Sequence, residues 1–343
     1  MDSAPTHRAH QTSLGDEGLL SYIQFSGPYR ASIEIASAPR PGPAQAVVKT
    51  ALSGISAGTE RMWFNGTAAA LRSGRRGYPY RPGYASVGEV IEIGDDFVGL
   101  KPGDRVFVMK PHASHVTIEN KDIWFPLPSA LSDEDALATS LAASAVHAVH
   151  RSGITVGDAV AVGGLGMLGM IYLQVLAATI GGPILALTRS PQKIALALAG
   201  GASHSSTYET MADILTELPP IHGAFECSGA AANVSRLMAV LASQGHLVLG
   251  GFYNDPIPID GEALFANELA LFGVRATGSA QEGNEYNRWG RRRNLQFAFD
   301  LVRTGKVQVR HLVSHRFEAA EFSEAYRLID SCASYLQVCI DWR

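Results

Sequence analysis

The sequence predicts an α/β protein that combines a β-rich domain with a doubly wound parallel sheet, and three observations support this. The chain has 343 residues, more than the roughly 250–300 at which a single hydrophobic core stops growing, so two domains are expected. Gly and Pro interrupt residues 20–130 at short intervals, which is typical of short, partly antiparallel strands. From Asp158 onward apolar strands alternate with helices, which is typical of βαβ units around a parallel sheet.

The β-rich part is defined by short apolar runs, and we predict strands at residues 45–50, 88–94 and 104–108. Ser132 precedes three acidic residues, which predicts a helix that begins there, because negative charge is favourable at a helix N-terminus. The pattern after about residue 290 reads helix, strand, helix, strand and is too short for its own core. We therefore assign residues 1–148 and 290–343 to one domain and 149–289 to the other.

Composition excludes several classes of function. The net charge is −4 and Lys and Arg are dispersed, so no basic face for nucleic acid is expected. The short run Arg291-Arg292-Arg293 is interpreted as a solvated helix face. Three cysteines are too few for a disulfide framework. No apolar run reaches the ~20 residues that cross a bilayer, and residues 1–14 lack the apolar segment of a secretory signal. A cytoplasmic protein without a membrane partner is expected.

A glycine-rich loop follows the predicted strand at residues 159–162. The motif Gly164-x-Gly166-x-x-Gly169 is weak alone, but here it joins an apolar strand to an apolar helix over residues 167–178. The first glycine allows a tight turn, the second lets backbone approach a pyrophosphate, and the third lets helix and strand pack closely. The sequence thus predicts a Rossmann dinucleotide-binding domain whose loop residues are Gly164, Leu165, Gly166, Met167, Leu168 and Gly169.

The end of the next strand, predicted at residues 183–187, indicates which dinucleotide binds. NAD-binding domains usually place an acid there for the ribose hydroxyls, whereas this chain has Thr188, Arg189 and Ser190, with Lys193 one turn later. Guanidinium and hydroxyl donors suit a 2′-phosphate, so NADP(H) is favoured. The alternative is NAD bound without the acid. Small residues that follow later strands are expected near the nicotinamide, and these are Cys227, Ser228, Gly250 and Gly251.

Several motifs together resemble the medium-chain dehydrogenase/reductase superfamily, which includes the zinc alcohol dehydrogenases. They are GISAGTE at 54–60, RPGYASVG at 81–88, VGLKPGDRV at 98–106, the Gly164 loop and ECSG at 226–229. The first two are most similar to a branch that contains bacteriochlorophyllide a dehydrogenase-like proteins. The resemblance implies a GroES-like catalytic domain beside the Rossmann domain, nicotinamide-dependent redox chemistry, and a homodimer formed through strands near residues 269–277.

The chain departs from the zinc-containing members of that superfamily. They carry a cysteine where this chain has Ser56 or Ala57, a histidine at Tyr84, and a third ligand near Ser140. No cysteine occurs at residues 104–124, where the structural zinc lobe is expected. Zinc prefers thiolate, imidazole or carboxylate, so we predict neither zinc site. The alternative interpretation uses replacement ligands taken from His112, His115 and Glu60.

The resemblance also suggests catalytic candidates. Tyr84 takes a ligand position, so its hydroxyl could donate to a developing alkoxide or enolate, especially if a cation lowers its pKa; the alternative is packing. Thr59 matches a proton-relaying hydroxyl or caps a helix, and Glu60 beside it is catalytic, or a capping or salt-bridged carboxylate. Lys110 and His112 follow the strand at residues 104–108. They could reach the substrate or lie on the surface.

We therefore expect a zinc-independent enzyme that transfers hydride between NADP(H) and a carbonyl or alcohol of a small or medium organic substrate. By analogy with the family branch, the reaction is expected to belong to a biosynthetic pathway. Two alternatives stay open. One is a zinc-free quinone or enoyl reductase acting on C=C, and the other is a non-catalytic NADPH-binding protein.

Overall fold

The computed structural model describes residues 18–254, 256–285, 288–331 and 334–343. The predictions for residues 1–14 lie outside the described residues, as does Cys332. The strands are β1 (Leu19–Gly27), β2 (Arg30–Ser37), β3 (Gln45–Ile55), β4 (Ser86–Ile93), β5 (Arg105–Val108), β6 (His115–Glu119), β7 (Trp124–Pro126), β8 (Ala159–Gly163), β9 (Ile184–Thr188), β10 (His204–Thr207), β11 (Ile221–Glu226), β12 (Leu241–Leu249), β13 (Ala270–Gly273), β14 (Val313–Glu318) and β15 (Gln337–Asp341). The helices are α1 (Ala57–Phe64), α2 (Ala69–Arg72), α3 (Asp133–Leu137), α4 (Thr139–Ser152), α5 (Met167–Thr179), α6 (Ile194–Ala199), α7 (Met211–Leu215), α8 (Ala231–Met238), α9 (Gly261–Ala266), α10 (Arg291–Arg303) and α11 (Phe322–Asp330).

The β-rich unit is a seven-stranded sheet in the order β14-β15-β3-β4-β5-β7, with β6 also paired to β3. The strands predicted at 45–50, 88–94 and 104–108 are β3, β4 and β5, and the pairs β3–β4 and β4–β5 are antiparallel. The hairpin β1–β2 was not predicted. Its second strand is only partly buried or exposed along its length, so it lacks the apolar alternation that marks a strand.

The chain after residue 290 returns to the β-rich unit, as its short length suggested. Strand β15 pairs antiparallel with β3, with Val338 opposite Ile55, and β14 adds to β15 in parallel. Helix α10 packs beside α4, and the Phe299 ring stacks on Phe125 at 4.6 Å between centroids. The proposed domain boundaries near residues 148 and 290 stay predictions.

The second unit is a six-stranded parallel sheet in the order β10-β9-β8-β11-β12-β13. The chain moves outward from β8 to β10 and then crosses back to β11 on the other side of β8. This reversal leaves a crevice beyond the carboxyl ends of β8 and β11, which is where open α/β sheets bind ligands. The predicted α/β class, a β-rich domain beside a Rossmann sheet, is confirmed.

Helix α4 connects the two units. Its buried face is built from alanines such as Ala142, Ala145 and Ala148, whose small side chains let α5 and α10 approach closely. The helix before it begins as predicted, because Ser132 Oγ accepts the Asp135 amide at 3.1 Å. Within the part of the chain that the structure describes, no helix is long and apolar enough to cross a membrane.

Candidate active site

The glycine-rich loop has the geometry that each of its glycines was expected to supply. Gly164 has φ +90°, and a Cβ there would lie 2.6 Å from Ser228 Cβ. A Cβ on Gly169 would lie 2.0 Å from the Gly164 carbonyl oxygen, so only glycine allows α5 to approach the loop this closely. A Cβ on Gly166 would meet no atom within 4 Å. Open space at the first turn of a helix is where a dinucleotide pyrophosphate binds.

A buried carboxylate shapes the neighbouring strand end. Glu226 is fully buried and accepts the backbone amides of Ser228 and Gly229, both at 2.9 Å. It also accepts the hydroxyls of Ser228 and Tyr253. Burial and the charge of Glu226 raise the pKa of the Cys227 thiol well above its ordinary value, so Cys227 behaves as a small neutral side chain.

Gly250 and Gly251 lie against the same strand end. Their amides both donate to the Glu226 carbonyl, at 2.9 and 3.0 Å. A Cβ on Gly251 would lie 2.9 Å from the Glu226 carboxylate. The small residues predicted to surround the nicotinamide thus converge at the carboxyl ends of β11 and β12.

Cations cluster where the predicted 2′-phosphate site begins. Arg189 is exposed and Lys193 is half-buried, and burial followed by the charge of Arg189 lowers the pKa of Lys193. Among the described residues, no carboxylate lies within ion-pair distance of either side chain. Thr188 has another use, because its buried hydroxyl accepts the Ser190 amide at 3.0 Å and shapes the turn.

Two residues near this cluster were missed by the sequence analysis. The Arg236 guanidinium lies 5.1 Å from the centre of the Tyr208 ring, and the buried Tyr208 hydroxyl has no hydrogen-bond partner in the described structure. A Cβ on Gly163 would lie 2.6 Å from that hydroxyl, so it lies beside the dinucleotide loop. No local motif marks either residue, since α8 and the end of β10 are far apart in sequence.

The three positions that hold zinc ligands in the resembling family come together in one small cavity. Its lining includes Ser56, Tyr84 and Ser140, with Gln337 from β15. Ser56, rather than Ala57, therefore occupies the first position. The buried Ser140 hydroxyl has no partner within the described residues. The cavity is thus lined with hydroxyl groups supplied by separate segments of the chain.

Two of these hydroxyls, those of Tyr84 and Ser56, form a hydrogen-bonded chain with Thr59 that leads outward. Tyr84 Oη donates to Ser56 Oγ at 2.6 Å, and Ser56 Oγ donates to Thr59 Oγ1 at 3.4 Å, on the partly exposed first turn of α1. Burial raises the pKa of Tyr84 to about 12, and the Glu60 charge adds to this effect. No cation of the described residues is among the causes of this shift, so the lowering of the pKa by a cation stays a prediction. At neutral pH the Tyr84 hydroxyl carries its proton and can donate it.

Glu60 and His112 lie behind the cavity and contact each other. Both are fully buried, and His112 Nε2 lies 3.0 Å from Glu60 Oε2. Glu60 also accepts the Ser56 amide at 2.8 Å and the Tyr326 hydroxyl at 2.7 Å. These contacts match the second role predicted for Glu60, that of a capping or salt-bridged carboxylate. The surface alternative for His112 is wrong, because the chain after β5 turns inward and its Nδ1 contacts Ser53 Oγ at 2.8 Å.

Lys110 has an ionic partner outside the cavity. Its Nζ lies 2.8 Å from Asp122 Oδ2, and each side chain is 27% exposed. The backbone of Lys110 lies beside the start of β4, since Ser86 pairs with Val108 and Ser86 Oγ donates to the Lys110 carbonyl at 3.4 Å. Its amine is directed to Asp122.

The residues at the cavity do not suit zinc. Serine and neutral tyrosine hydroxyls are poor ligands compared with thiolate, imidazole or carboxylate, and Tyr84 holds its proton with a pKa of about 12. The replacement-ligand alternative joins only Glu60 and His112, since His115 Nδ1 contacts Ser114 Oγ at 3.1 Å. In the described residues, no three His, Cys, Asp or Glu side chains are placed to hold a metal ion. By contrast, the dinucleotide loop, with its open first turn and with Arg189 and Lys193 nearby, fits a nicotinamide cofactor.

Comparisons with known proteins agree with this architecture. Residues 42–123 match the model of the alcohol dehydrogenase GroES-like domain, and residues 167–289 match that of the zinc-binding dehydrogenase family. The 2-desacetyl-2-hydroxyethyl bacteriochlorophyllide A dehydrogenase of Rhodobacter capsulatus is 30% identical over 94% of this chain and 98% of its own length. That of Cereibacter sphaeroides is 27% identical over 94% and 98%.

Solved structures show the same fold. A putative zinc-binding dehydrogenase from Sinorhizobium meliloti, bound to NADP, has a TM-score of 0.77 at 21% identity and covers 95% of this chain and 100% of its own. The 2R,3R-butanediol dehydrogenase of Bacillus subtilis also has a TM-score of 0.77, at 18% identity, covering 94% and 99%. Together with the full-length relatives, these matches show that the chain belongs to the medium-chain dehydrogenase/reductase superfamily of NAD(P)-dependent oxidoreductases, near its bacteriochlorophyllide a dehydrogenase-like branch.

Proposed function

We propose that this chain is a zinc-independent, NADP(H)-dependent oxidoreductase that interconverts a carbonyl and an alcohol on a small or medium organic substrate. The observation that carries the proposal is the cavity in which Ser56, Tyr84 and Ser140 present hydroxyls at the three zinc-ligand positions. Polarisation of the carbonyl then depends on O–H donors rather than on a metal.

The hydroxyl chain supplies the proton that reduction requires. NADPH, when bound at the glycine-rich loop, would supply the hydride that the carbonyl carbon receives. The substrate oxygen then needs a proton, and Tyr84 can donate one because its pKa of about 12 keeps it neutral. Reversal of the Tyr84–Ser56–Thr59 hydrogen bonds replaces that proton from the partly exposed end of the chain. Alcohol oxidation uses the same atoms in the opposite direction.

Glu60 and His112 have a supporting role in this proposal. Glu60 accepts the Ser56 amide and so fixes the residue whose hydroxyl accepts the Tyr84 hydrogen bond. His112 and Tyr326 satisfy the other carboxylate oxygen, which a buried charge requires. We assign positioning rather than proton transfer to this buried group.

The preference for NADP(H) is supported by charge. Arg189 and Lys193 follow β9 without carboxylate partners in the described structure, and Arg236 adds a third cation near Tyr208. Guanidinium groups bind phosphate through paired hydrogen bonds. The carbonyl assignment is supported by the names of the two relatives, which describe dehydrogenases of a compound with a hydroxyethyl substituent.

Isotope transfer tests the reaction type. Purified protein would receive 4-deuterated NADPH and 4-phenyl-3-buten-2-one as one member of a broad carbonyl panel. Deuterium at the carbinol carbon of the allylic alcohol supports the proposal. A deuterated saturated ketone would show a C=C reductase, and tight NADPH binding without turnover across the panel would show a binding protein.

Metal analysis and cofactor titration test the other two parts. Zinc content by plasma mass spectrometry is expected well below one atom per chain, with activity retained after dialysis against 1,10-phenanthroline. Calorimetry is expected to give a lower Kd for NADPH than for NADH. One tightly held zinc per chain, or equal affinity for both cofactors, would contradict the corresponding part.

Assembly is proposed from the family resemblance. Strand β13 forms one edge of the six-stranded sheet, and we propose that a second copy continues the sheet there to give a homodimer. Light scattering after size exclusion is expected to give twice the chain mass of 36.5 kDa. The cytoplasmic location and the biosynthetic role remain proposals of the same kind.

A further inference from the structure

Three adjacent arginines open α10, and their surroundings differ. Arg292 is exposed, with its Nε 3.7 Å from Glu282, and Arg293 is exposed with its guanidinium 4.1 Å from the centre of the Trp289 ring. Both fit the solvated helix face that the sequence indicated. Arg291 does not, because it is half-buried and turned toward the core.

The Arg291 guanidinium has few partners for a half-buried cation. Its Nε is buried without a hydrogen-bond partner in the described structure, and its Nη2 lies 3.9 Å from Met109 Sδ, which is a weak acceptor. No carboxylate of the described residues lies within ion-pair distance of it. An arginine cannot relieve this by losing its proton. Binding of an anion to the Arg291 guanidinium should therefore be favourable.

Arg291 contacts two segments of the chain, one that follows β5 and one that follows β13. Met109 follows β5, and the Ser86–Val108 pair places it beside Ala85, which lines the hydroxyl cavity with Tyr84. On the other side, the Arg291 amide donates to the Ala280 carbonyl at 2.8 Å, on the segment that leaves β13.

That segment leaves the sheet at the cofactor edge. Gly273 ends β13 opposite Leu249, and β13 runs parallel to β12, so both strands end on the side where Gly250 lies. Arg291 thus contacts one residue that follows β5, next to the cavity-lining segment, and one residue on the segment that follows β13. A substrate placed between nicotinamide and Tyr84 would extend toward it.

We propose that Arg291 binds a carboxylate on the substrate, so that the enzyme acts on anionic carbonyl compounds. A guanidinium fork matches a carboxylate through two parallel hydrogen bonds. The inference rests on the proposed function, because it requires that this cavity holds the reacting carbonyl.

Matched acids and esters test the proposal on the full chain. The probes are 4-formylbenzoate with its methyl ester and pyruvate with methyl pyruvate, each measured for binding to the protein–NADPH complex and for NADPH oxidation. Wild type is expected to bind at least one acid tenfold or more tightly than its ester. Arg291→Gln is expected to remove this preference, Arg291→Lys to restore part of it, and Arg292→Gln, on the same helix, to leave it unchanged.

Each outcome separates this inference from the proposed function. If NADPH binds and esters react but no acid is preferred, the carboxylate proposal is wrong while the proposed function stands. If Arg291→Gln weakens NADPH itself, the arginine belongs to the cofactor site and the proposal is also overturned. If NADPH does not bind to wild type, the proposed function fails first. Thermal unfolding of Arg291→Gln close to that of Arg292→Gln shows that lost preference is not lost folding.

Discussion

The dinucleotide loop and the hydroxyl cavity build a site from different parts of the chain. The loop is one continuous segment, residues 163–169, and its shape depends on side chains that are absent. The cavity takes Ser56, Tyr84, Ser140 and Gln337 from four separate segments, and its chemistry depends on the functional groups they carry. Substitutions in the loop should therefore change geometry, whereas substitutions in the cavity should change chemistry while the geometry is retained.

Gly169→Ala should be the most damaging substitution, because it should affect both folding and NADPH binding. Its Cβ would lie 2.0 Å from the Gly164 carbonyl oxygen, which is backbone and cannot move without shifting the loop. Overpacking of this kind costs about 1–3 kcal/mol or more of unfolding free energy, and the displaced loop should lose NADPH binding. Urea unfolding and calorimetric titration with NADPH measure both effects.

Gly166→Ala is the matched control in the same loop. A Cβ there meets no atom within 4 Å, so unfolding free energy should stay within about 0.5 kcal/mol of wild type. NADPH affinity should nevertheless fall at least tenfold, because the methyl group takes the space for the pyrophosphate. Unchanged NADPH affinity in Gly166→Ala would mean that the cofactor does not approach this turn.

Tyr84→Phe tests the cavity by removing one oxygen. General acid catalysis contributes about 10²–10⁴-fold, so kcat should fall by that factor, with the NADPH Kd unchanged. Tyr80→Phe is the control, since its ring stacks on Trp63 at 3.9 Å and the substitution retains the ring. A loss of activity equal in the two variants would assign Tyr84 to packing.

Arg189→Gln tests the predicted 2′-phosphate site, where binding should depend on a charged side chain rather than on the shape of the backbone. Hydrogen bonds to charged groups contribute about 1.5–3 kcal/mol, so NADPH should bind about 10- to 150-fold more weakly. NADH, which lacks the 2′-phosphate, serves as the internal control and should bind as before. Equal weakening of both cofactors would place Arg189 at a shared part of the nucleotide.

Features built from one continuous segment could be predicted from the sequence, whereas features assembled from distant segments could not. The loop could be predicted because strand, glycines and helix are contiguous, and Ser132 could be predicted as a cap because its acidic turn is local. The cavity positions followed from the family resemblance. The burial of His112 and the inward turn of Arg291 could not be predicted, since both depend on partners distant in sequence, Glu60 for the first and Met109 for the second. Tyr208 and Arg236 were missed for the same reason.

The smallest expected effect concerns pH. Burial, then the charge of Glu60, raises the pKa of Tyr84 to about 12, while its hydrogen bond with Ser56 opposes this. Tyr84 should therefore stay protonated throughout the neutral range. A rate profile from pH 6 to 9 should contain no limb that Tyr84→Phe removes, and such a limb would mean that a bound cation lowers this pKa.

Stability gives an independent measure of the same pKa. The folded value exceeds the unfolded value of about 10, so the contribution of Tyr84 is fully present below pH 10 and is lost as pH rises from 10 to 12. At pH 10.5 the loss should be below about 1 kcal/mol. Urea unfolding at pH 7, 9 and 10.5 gives the difference in unfolding free energy between wild type and Tyr84→Phe. We expect this difference to be constant up to pH 9 and to change at pH 10.5. A difference that already changes between pH 7 and 9 would show that the hydroxyl ionises more readily than its burial implies, and the cavity would then hold a base rather than an acid.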